Sequence, residues 1–304
     1  MISKAVMEAL MDIVPKENIH LEEPLAGHTT FRVGGPTDCL VEIESTEQLR
    51  KIQKYLRLIE ESYTILGNGS NLLVGDGGYR GIALQIGNKM AGIRVEGNTI
   101  IAQAGALLSK TAKVALEHGL TGLEFASGIP GSIGGAVVMN AGAYGGEMKQ
   151  VITSVTVLDQ EGEELVLDNE TMEFGYRTSV IKHRPFLVTE VTMELTPADP
   201  AVIKSTMDDL TARRREKQPL EYPSAGSTFK RPEGHYAGQL IMEAGLRGFQ
   251  IGGARVSDKH CGFVINTGTA TAADVVHVIR HVQQTVKEKF GVDLETEVIM
   301  LGEF

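Results

Sequence analysis

The chain has 304 residues, a formal net charge of −10, and 42 % hydrophobic and 22 % charged residues. This length suits two domains or three small ones, and the composition excludes collagen-like, coiled-coil and disordered classes. The acidic balance argues against nonspecific nucleic-acid binding, which needs a broad basic field, although a local basic pocket can still bind a small anion. Glycine is abundant, with 35 residues that cluster between Gly67 and Gly146, and these clusters need a local explanation.

Periodicity predicts most of the secondary structure. Helices are predicted at residues 2–14, after a cap at Ser45 or Thr46, and at 107–118, 201–218, 235–244 and 271–290. Strands are predicted at residues 38–44, 63–66, 81–86, 92–97, 99–104, 151–158, 164–167, 186–195 and 297–301. These elements do not alternate as a regular βαβ array, so the predicted fold class is α+β, with a domain boundary near residues 198–200.

Cys39 and Cys261 form no metal-binding pattern, so we expect a reduced pair and no metal. Residues 1–16 lack a basic start followed by a long apolar run, and no segment reaches the ~18 apolar residues of a membrane helix. We therefore expect no signal peptide, no membrane span and a cytoplasmic location.

The first glycine cluster is the sequence GNGSN at residues 67–71, directly after a predicted buried strand. Glycine permits positive φ, and successive backbone N–H groups in such a turn can hold phosphate oxygens. The alternative interpretation is an ordinary tight turn.

The second cluster spans residues 127–145 and is small and apolar rather than hydrophilic. Such residues let backbone pack against a large flat ligand, although a close-packed turn inside the core is the alternative. Neither cluster matches the Rossmann fingerprint or the Walker A loop.

Together these motifs resemble the FAD-binding domain of the vanillyl-alcohol-oxidase type. Within that superfamily they are similar to the family of UDP-N-acetylenolpyruvoylglucosamine reductases. Residues 28–35, 175–179 and 223–232 extend the resemblance, which covers about residues 28–302. No long insertion lies between Tyr176 and Phe186, which indicates the shorter, type II form.

The resemblance implies an FAD-binding PCMH-type region at residues 1–198, with subdomains of about 1–80 and 81–198, and a C-terminal α+β substrate domain at 199–304. It implies non-covalent FAD, with the first glycine loop on the pyrophosphate and the second around the flavin. The implied cofactor-binding residues are Gly67, Asn68, Gly69, Ser70, Asn71, Leu72, Gly128, Ile129, Ser132, Gly134, Gly135 and Asn140.

The implied reaction is reduction of UDP-N-acetylglucosamine enolpyruvate by NADPH through FAD, in peptidoglycan precursor synthesis. Ser227 would donate the proton, while Arg177 and Glu297 would face the substrate carboxylate. Glu297 would have to be protonated or close to Arg177, and Glu295 is an alternative by strand alternation. The preference for NADPH over NADH rests on the resemblance alone.

The substrate diphosphate requires local cations despite the negative net charge. The implied substrate-binding residues are Tyr176, Arg214, Arg231 and His260, with Lys230 as a further candidate. A lone histidine beside an apolar strand is also compatible with a purely structural role.

Two other functions remain open from the sequence. One is another flavin oxidase of the same superfamily that acts on a sugar or alcohol, although the absence of Gly-Gly-His disfavours a covalently attached flavin. The other is a non-enzymatic protein that binds a nucleotide sugar or phosphate.

Overall fold

The computed structural model describes residues 2–304, and within them the chain forms seven α-helices, 18 strands and short 3-10 turns. The helices are α1 (Lys4–Met11), α2 (Thr46–Leu58), α3 (Leu108–Glu117), α4 (Ile133–Val138), α5 (Pro200–Lys217), α6 (Ala237–Glu243) and α7 (Ala272–Phe290). The first nine strands are β1 (Ile19–Pro24), β2 (Pro36–Glu42), β3 (Tyr63–Leu66), β4 (Leu72–Val74), β5 (Tyr79–Gln85), β6 (Ile93–Glu96), β7 (Thr99–Gln103), β8 (Leu120–Thr121) and β9 (Gly142–Ala143). The remaining strands are β10 (Gly146–Glu147), β11 (Ile152–Leu158), β12 (Glu164–Asp168), β13 (Leu187–Glu194), β14 (Thr196–Pro197), β15 (Gln250–Ile251), β16 (Ala254–Val256), β17 (Val264–Asn266) and β18 (Ile299–Leu301).

The first sheet has the strand order β1-β2-β5-β3, in which β2, β5 and β3 are parallel. Helix α2 connects β2 to β3; the Ser45 hydroxyl caps it by accepting from the N–H of Gln48, and its apolar stripe is buried. The first glycine loop leaves the carboxyl end of β3. Ligands of open α/β sheets bind at this edge.

The second sheet is antiparallel, with the strand order β12-β11-β13-β7-β6. Helix α4, which lies inside the second glycine cluster, packs against β13 and β7. One hydrophobic core contains residues of both sheets, from Val6 to Leu195. This shared core fixes the positions of the two glycine clusters relative to each other.

In the C-terminal part, α7 packs against the small sheet β15-β16-β17 and α6 packs against α7, around a second core. Strand β18 then returns to pair in parallel with β4, which places Ile299 opposite Leu72. The carboxylate of Asp76 accepts from the N–H groups of Ala272 and Ala273, at 2.8 and 2.9 Å, at the start of α7. The end of the chain is thereby fixed to the segment that follows the first glycine loop.

The α+β fold class predicted from the sequence is confirmed, and the predicted helices lie within a few residues of those observed. Pattern analysis missed β1, β4, the small C-terminal sheet and α4. The predicted strand at 297–301 begins only at Ile299. The division into domains at residue 198 stays a prediction. Among residues 2–304, no helix combines the length and apolar character needed to cross a membrane.

Candidate active site

A cavity of about 560 Å³ lies where the two glycine clusters meet the C-terminal part. Its wall contains most of the first loop, much of the second cluster, and the side chains of Arg177, Ser227 and Glu297. A smaller cavity of about 260 Å³ lies at the carboxyl ends of β2, β3 and β5. Because both are lined by Gly67, Asn68 and Ser132, they are neighbouring parts of one groove.

The first glycine loop presents a row of unpaired backbone donors to this groove. Within the described part of the chain, the N–H groups of residues 67–71 donate to no acceptor. Gly69 has φ +60, and a Cβ there would lie 2.0 Å from the carbonyl oxygen of His28. Only glycine fits this position, and the loop has the free N–H groups that an anion-binding nest needs.

The second cluster closes against the first loop. A Cβ on Gly67 would lie 2.6 Å from the Ser132 hydroxyl, and one on Gly134 would lie 3.0 Å from the Ala104 Cβ. The N–H of Gly134 donates to the Ala104 carbonyl, whereas that of Gly135 has no acceptor among residues 2–304. The absence of side chains at Gly67 and Gly134 therefore lets these segments approach each other closely beside the groove.

The residues of the groove fit FAD. Free N–H groups at the first loop suit a pyrophosphate, while the apolar side chains of the larger cavity suit a flat ring system. Those apolar side chains include Ile65, Leu108, Ile129, Val138 and Val188. Among the predicted cofactor residues, those that line the larger cavity are Gly67, Asn68, Gly69, Ser70, Asn71, Leu72, Ile129, Ser132, Gly134 and Gly135.

Arg177 and Glu297 form an ion pair in the wall of the cavity, with Arg177 Nε 2.6 Å from Glu297 Oε1. The Glu297 side chain is only 14 % exposed. Burial raises its pKa, and the nearby Arg177 guanidinium offsets only part of that effect. Arg177 itself has φ +56, an uncommon conformation for a side-chain-bearing residue.

The structure distinguishes Glu297 from Glu295. The N–H of Glu297 donates to the Thr228 carbonyl, and the N–H of Lys230 donates to the Glu295 carbonyl, so the two segments run side by side. The Glu295 carboxylate is 73 % exposed and pairs with Lys230 outside the cavity. Glu297 therefore faces the site and Glu295 does not.

Ser227 lies in the same wall, immediately before the anchored residue Thr228. Thr228 donates its N–H to the Gly262 carbonyl, and its hydroxyl accepts from the N–H of Val264. The Ser227 hydroxyl has no hydrogen-bond partner within residues 2–304. It is a free donor on a firmly held loop.

Arg214 is a buried cation at the cavity, with 8 % of its surface exposed. Its guanidinium donates to the Gly128 carbonyl and lies over the Tyr144 ring, and no carboxylate pairs with it in the described structure. Burial lowers its pKa. A buried cation without a carboxylate is favourable where an anionic ligand binds.

Five predicted site residues lie outside the wall of the larger cavity: Gly128, Asn140, Tyr176, Arg231 and His260. Gly128 contacts Arg214 through its carbonyl, and Asn140 is buried with its side chain bonded to other protein groups. His260 packs edge-on against Phe263, which lines the cavity, and its Nδ1 accepts from the N–H of Gly262. Burial lowers the pKa of His260. Its role in substrate binding stays a prediction.

Tyr176 and Arg231 lie together nearer the surface. The Tyr176 hydroxyl accepts from the N–H of Arg231 at 3.0 Å, and the Arg231 guanidinium lies 4.1 Å from the centre of the Tyr236 ring. Tyr176 is 55 % exposed. This exposed aromatic and cationic group remains a predicted substrate contact.

Sequence reasoning missed several residues of the wall. Ile181, Phe186 and Leu220 contribute apolar surface, and Gln218 contributes an amide. Phe186 stands at the start of a predicted buried strand, but an apolar residue there is equally typical of the core. Only proximity to the catalytic candidates distinguishes it.

The fold and the groove define an FAD-binding oxidoreductase. Residues 37–168 match the family described as "FAD binding domain", and residues 218–301 match "UDP-N-acetylenolpyruvoylglucosamine reductase, C-terminal domain". The UDP-N-acetylenolpyruvoylglucosamine reductase of Caldanaerobacter subterraneus subsp. tengcongensis is 50 % identical over 301 residues, 99 % of each chain. That of Clostridium perfringens is 55 % identical over 287 residues, 94 % of each chain. The crystal structure of the Thermus caldophilus enzyme is 36 % identical, with a TM-score of 0.80, and the alignment covers 93 % of this chain and 98 % of that one.

This chain belongs to the UDP-N-acetylenolpyruvoylglucosamine reductase family. Similarity over nearly the full length of both chains favours the reductase over the sugar or alcohol oxidase and over a non-enzymatic binding protein. The resemblance drawn from the glycine clusters is confirmed.

Proposed function

We propose that this chain catalyses the NADPH-dependent reduction of UDP-N-acetylglucosamine enolpyruvate to UDP-N-acetylmuramate, in peptidoglycan precursor synthesis. One observation supports this most strongly. Arg177, Ser227 and Glu297 come from three separate segments and line the cavity that the two glycine clusters form. The anion-binding glycine loop, the Arg177–Glu297 pair and the free Ser227 hydroxyl thus face one cavity and can act on one ligand.

FAD, when bound, would supply the chemistry for hydride transfer between NADPH and the enolpyruvyl double bond. The N–H groups of residues 67–71 would bind its pyrophosphate, and the apolar wall would exclude water from its ring system.

Arg177 would bind the substrate carboxylate. Its Nε donates to Glu297, and its Nη2 is 3.5 Å from the Gly142 carbonyl, which is a weak contact at best. The terminal guanidinium N–H groups are therefore available for a bidentate interaction. They would stabilise the negative charge that develops on the carboxylate end as hydride arrives.

The protonation state of Glu297 would decide whether it repels the substrate carboxylate or donates a hydrogen bond to it. Two ionised carboxylates at one site repel each other and raise the pKa of one of them, and burial already raises the pKa of Glu297. We expect Glu297 to hold a proton at its carboxyl group when the substrate is bound. A protonated Glu297 would then donate a hydrogen bond where an ionised one would repel.

Ser227 would complete the reaction by donating its hydroxyl proton to the α-carbon of the substrate. A serine hydroxyl is a weak acid, but an enolate-like carbon is basic enough to accept a proton from a well-placed weak acid. The free Ser227 hydroxyl and its anchored loop meet this requirement.

Cations around the site would bind the diphosphate of the substrate. Arg214 is buried without a carboxylate partner, while Arg231 and Lys230 lie nearer the surface. We propose that these residues create a local positive field within a chain of net charge −10. Because the substrates are NADPH and a nucleotide sugar, we also propose a cytoplasmic location.

Anaerobic stopped-flow spectroscopy tests this function. The purified protein should be yellow, NADPH should bleach the flavin, and UDP-N-acetylglucosamine enolpyruvate should restore its colour stoichiometrically. UDP-N-acetylglucosamine, which lacks the enolpyruvyl group, is the matched control and should leave the flavin reduced. Failure of the enolpyruvyl compound to reoxidise the flavin would refute the proposal.

A further inference from the structure

Asn140 is a buried polar residue whose side chain lies between the cofactor groove and the Arg177 segment. It is 1 % exposed, has φ +41 and does not line the larger cavity. Its Nδ2 donates to Glu147 Oε2 at 2.9 Å and to the Gly175 carbonyl at 3.1 Å. Its Oδ1 accepts from the N–H of Lys149 at 2.9 Å. Both amide hydrogens are therefore used within the protein, which leaves none for a cofactor.

The bond to Gly175 acts on the turn that carries Arg177. In this turn Gly175 and Thr178 exchange N–H to carbonyl bonds of 3.1 and 3.4 Å, and Arg177 has φ +56. A residue other than glycine keeps such a positive φ only where the surrounding structure holds it there. The two internal bonds, one of them long, do not by themselves fix the position of the turn relative to the cavity, so contacts to other segments must do so.

A second bond holds the other end of the same turn. Ser179, which is 1 % exposed, donates its hydroxyl to the Val138 carbonyl at 3.0 Å. Val138 is the last residue of α4, and Asn140 follows two residues later. The bonds Asn140–Gly175 and Ser179–Val138 together form what we call the two-point anchor.

Helix α4 is also part of the cofactor groove, because Gly134, Gly135 and Val138 line it. The two-point anchor therefore connects the helix beside the cofactor to the turn that holds Arg177. A shift of this turn would move the guanidinium away from Glu297, whose carboxylate is 2.6 Å from Nε.

We propose that Asn140 is a positioning residue which, together with Ser179, holds Arg177 at the distance from the cofactor groove that the substrate carboxylate requires. The inference rests on the proposed function, in which Arg177 binds that carboxylate. It assigns Asn140 a role toward the substrate rather than the direct cofactor contact that the sequence implied.

The test is the substitution Asn140→Gly, because glycine keeps the left-handed backbone and removes both donated bonds. Ser179→Ala removes the other half of the anchor and decides the question if Asn140→Gly does not fold. Asn169→Ala is the matched control, since Asn169 also donates two hydrogen bonds through its side-chain amide, in its case to the Lys149 and Ile152 carbonyls, away from the Arg177 turn.

We expect wild-type FAD content and wild-type flavin reduction by NADPH in both anchor variants. Calorimetry should show weaker binding of the enolpyruvyl substrate to the oxidised holoenzyme, and flavin reoxidation by that substrate should fall on the order of a hundred-fold, as a misplacement of about 1 Å can cause. Because both bonds hold one turn, the effects of the double variant should not be additive. Asn169→Ala should bind and reoxidise as the wild type does.

Two results would overturn the inference: substrate binding and reoxidation that match the wild type, or loss of FAD and of flavin reduction in the anchor variants. The second would return Asn140 to the cofactor site. Failure of the wild type itself to be reoxidised would instead refute the proposed function, so the two outcomes are distinguishable.

Discussion

Replacement of Ser227 by alanine should separate the two halves of the reaction. The Ser227 hydroxyl has no hydrogen-bond partner in the described structure, so its removal breaks no hydrogen bond. We expect the free energy of unfolding to change by no more than about 0.5 kcal/mol. The loop conformation should persist, because Thr228 anchors it through bonds to Gly262 and Val264.

The effect on the second half-reaction should be large. Loss of a positioned general acid lowers a rate by about 10²–10⁴-fold. This corresponds to about 3–5 kcal/mol in the activation barrier. Stopped-flow measurement should therefore show normal flavin reduction by NADPH in Ser227→Ala, and reoxidation by the enolpyruvyl substrate slowed by that factor.

Ser224→Ala provides a control in the same loop. Ser224 also lines the cavity, but only its backbone carbonyl is bonded, as the acceptor from the Thr30 hydroxyl. This variant should be reoxidised at close to the wild-type rate. Reoxidation of Ser227→Ala at close to the wild-type rate, or equal slowing of both variants, would refute the assignment of Ser227 as the proton donor.

Gly69→Ala should lower FAD content sharply, because the new Cβ would lie 2.0 Å from the His28 carbonyl oxygen. Flavin absorbance per mole of protein measures this. An unchanged FAD content would show that the loop is not part of the cofactor site. Glu297 should make unfolding pH-dependent. The pKa of Glu297 in the native state is raised above its ordinary value of 4.5, so between the two pKa values the native state holds a proton that the unfolded state has lost. The contribution of Glu297 to the free energy of unfolding therefore falls as the pH rises through this range. The difference in unfolding midpoint, Glu297→Gln minus wild type, should therefore become more positive from acidic to neutral pH. A difference that does not change with pH would contradict a raised pKa for the buried Glu297. Asp76→Ala should destabilise the protein by about 1 kcal/mol, because it removes the carboxylate that accepts from the first two N–H groups of α7. Chemical denaturation measures this, and an unchanged midpoint would argue against the contact.

Local pattern was sufficient for the longer elements. The sequence predicted the helix that follows a cap at Ser45 or Thr46 and the helix at 271–290, because both segments are long and carry apolar residues at helical spacing. It missed α4, whose six residues are too few to show helical periodicity and include two glycines. It also missed β1, which has charged residues at Glu22 and Glu23 and ends in proline.

The site could be predicted in part. The glycine loop at residues 67–71 was identified because few residue types tolerate positive φ and close backbone approach. The choice between Glu295 and Glu297 stayed open, because strand alternation allows either residue to face the cavity. The structure selects Glu297 through its pairing beside Thr228 and its contact with Arg177.

The sequence by itself determined the longer helices and strands and the two glycine clusters, because these depend on local conformational preferences. It also determined which residue types are available for binding and proton transfer. Only the tertiary structure decided that Arg177 meets Glu297 across 120 positions, that β18 pairs in parallel with β4, and that Asn140 bonds to the Arg177 turn rather than lining the cavity. The physical reason is that such contacts depend on how two sheets and a returning C-terminal strand pack around shared cores, and this packing leaves no periodic signal in any one segment.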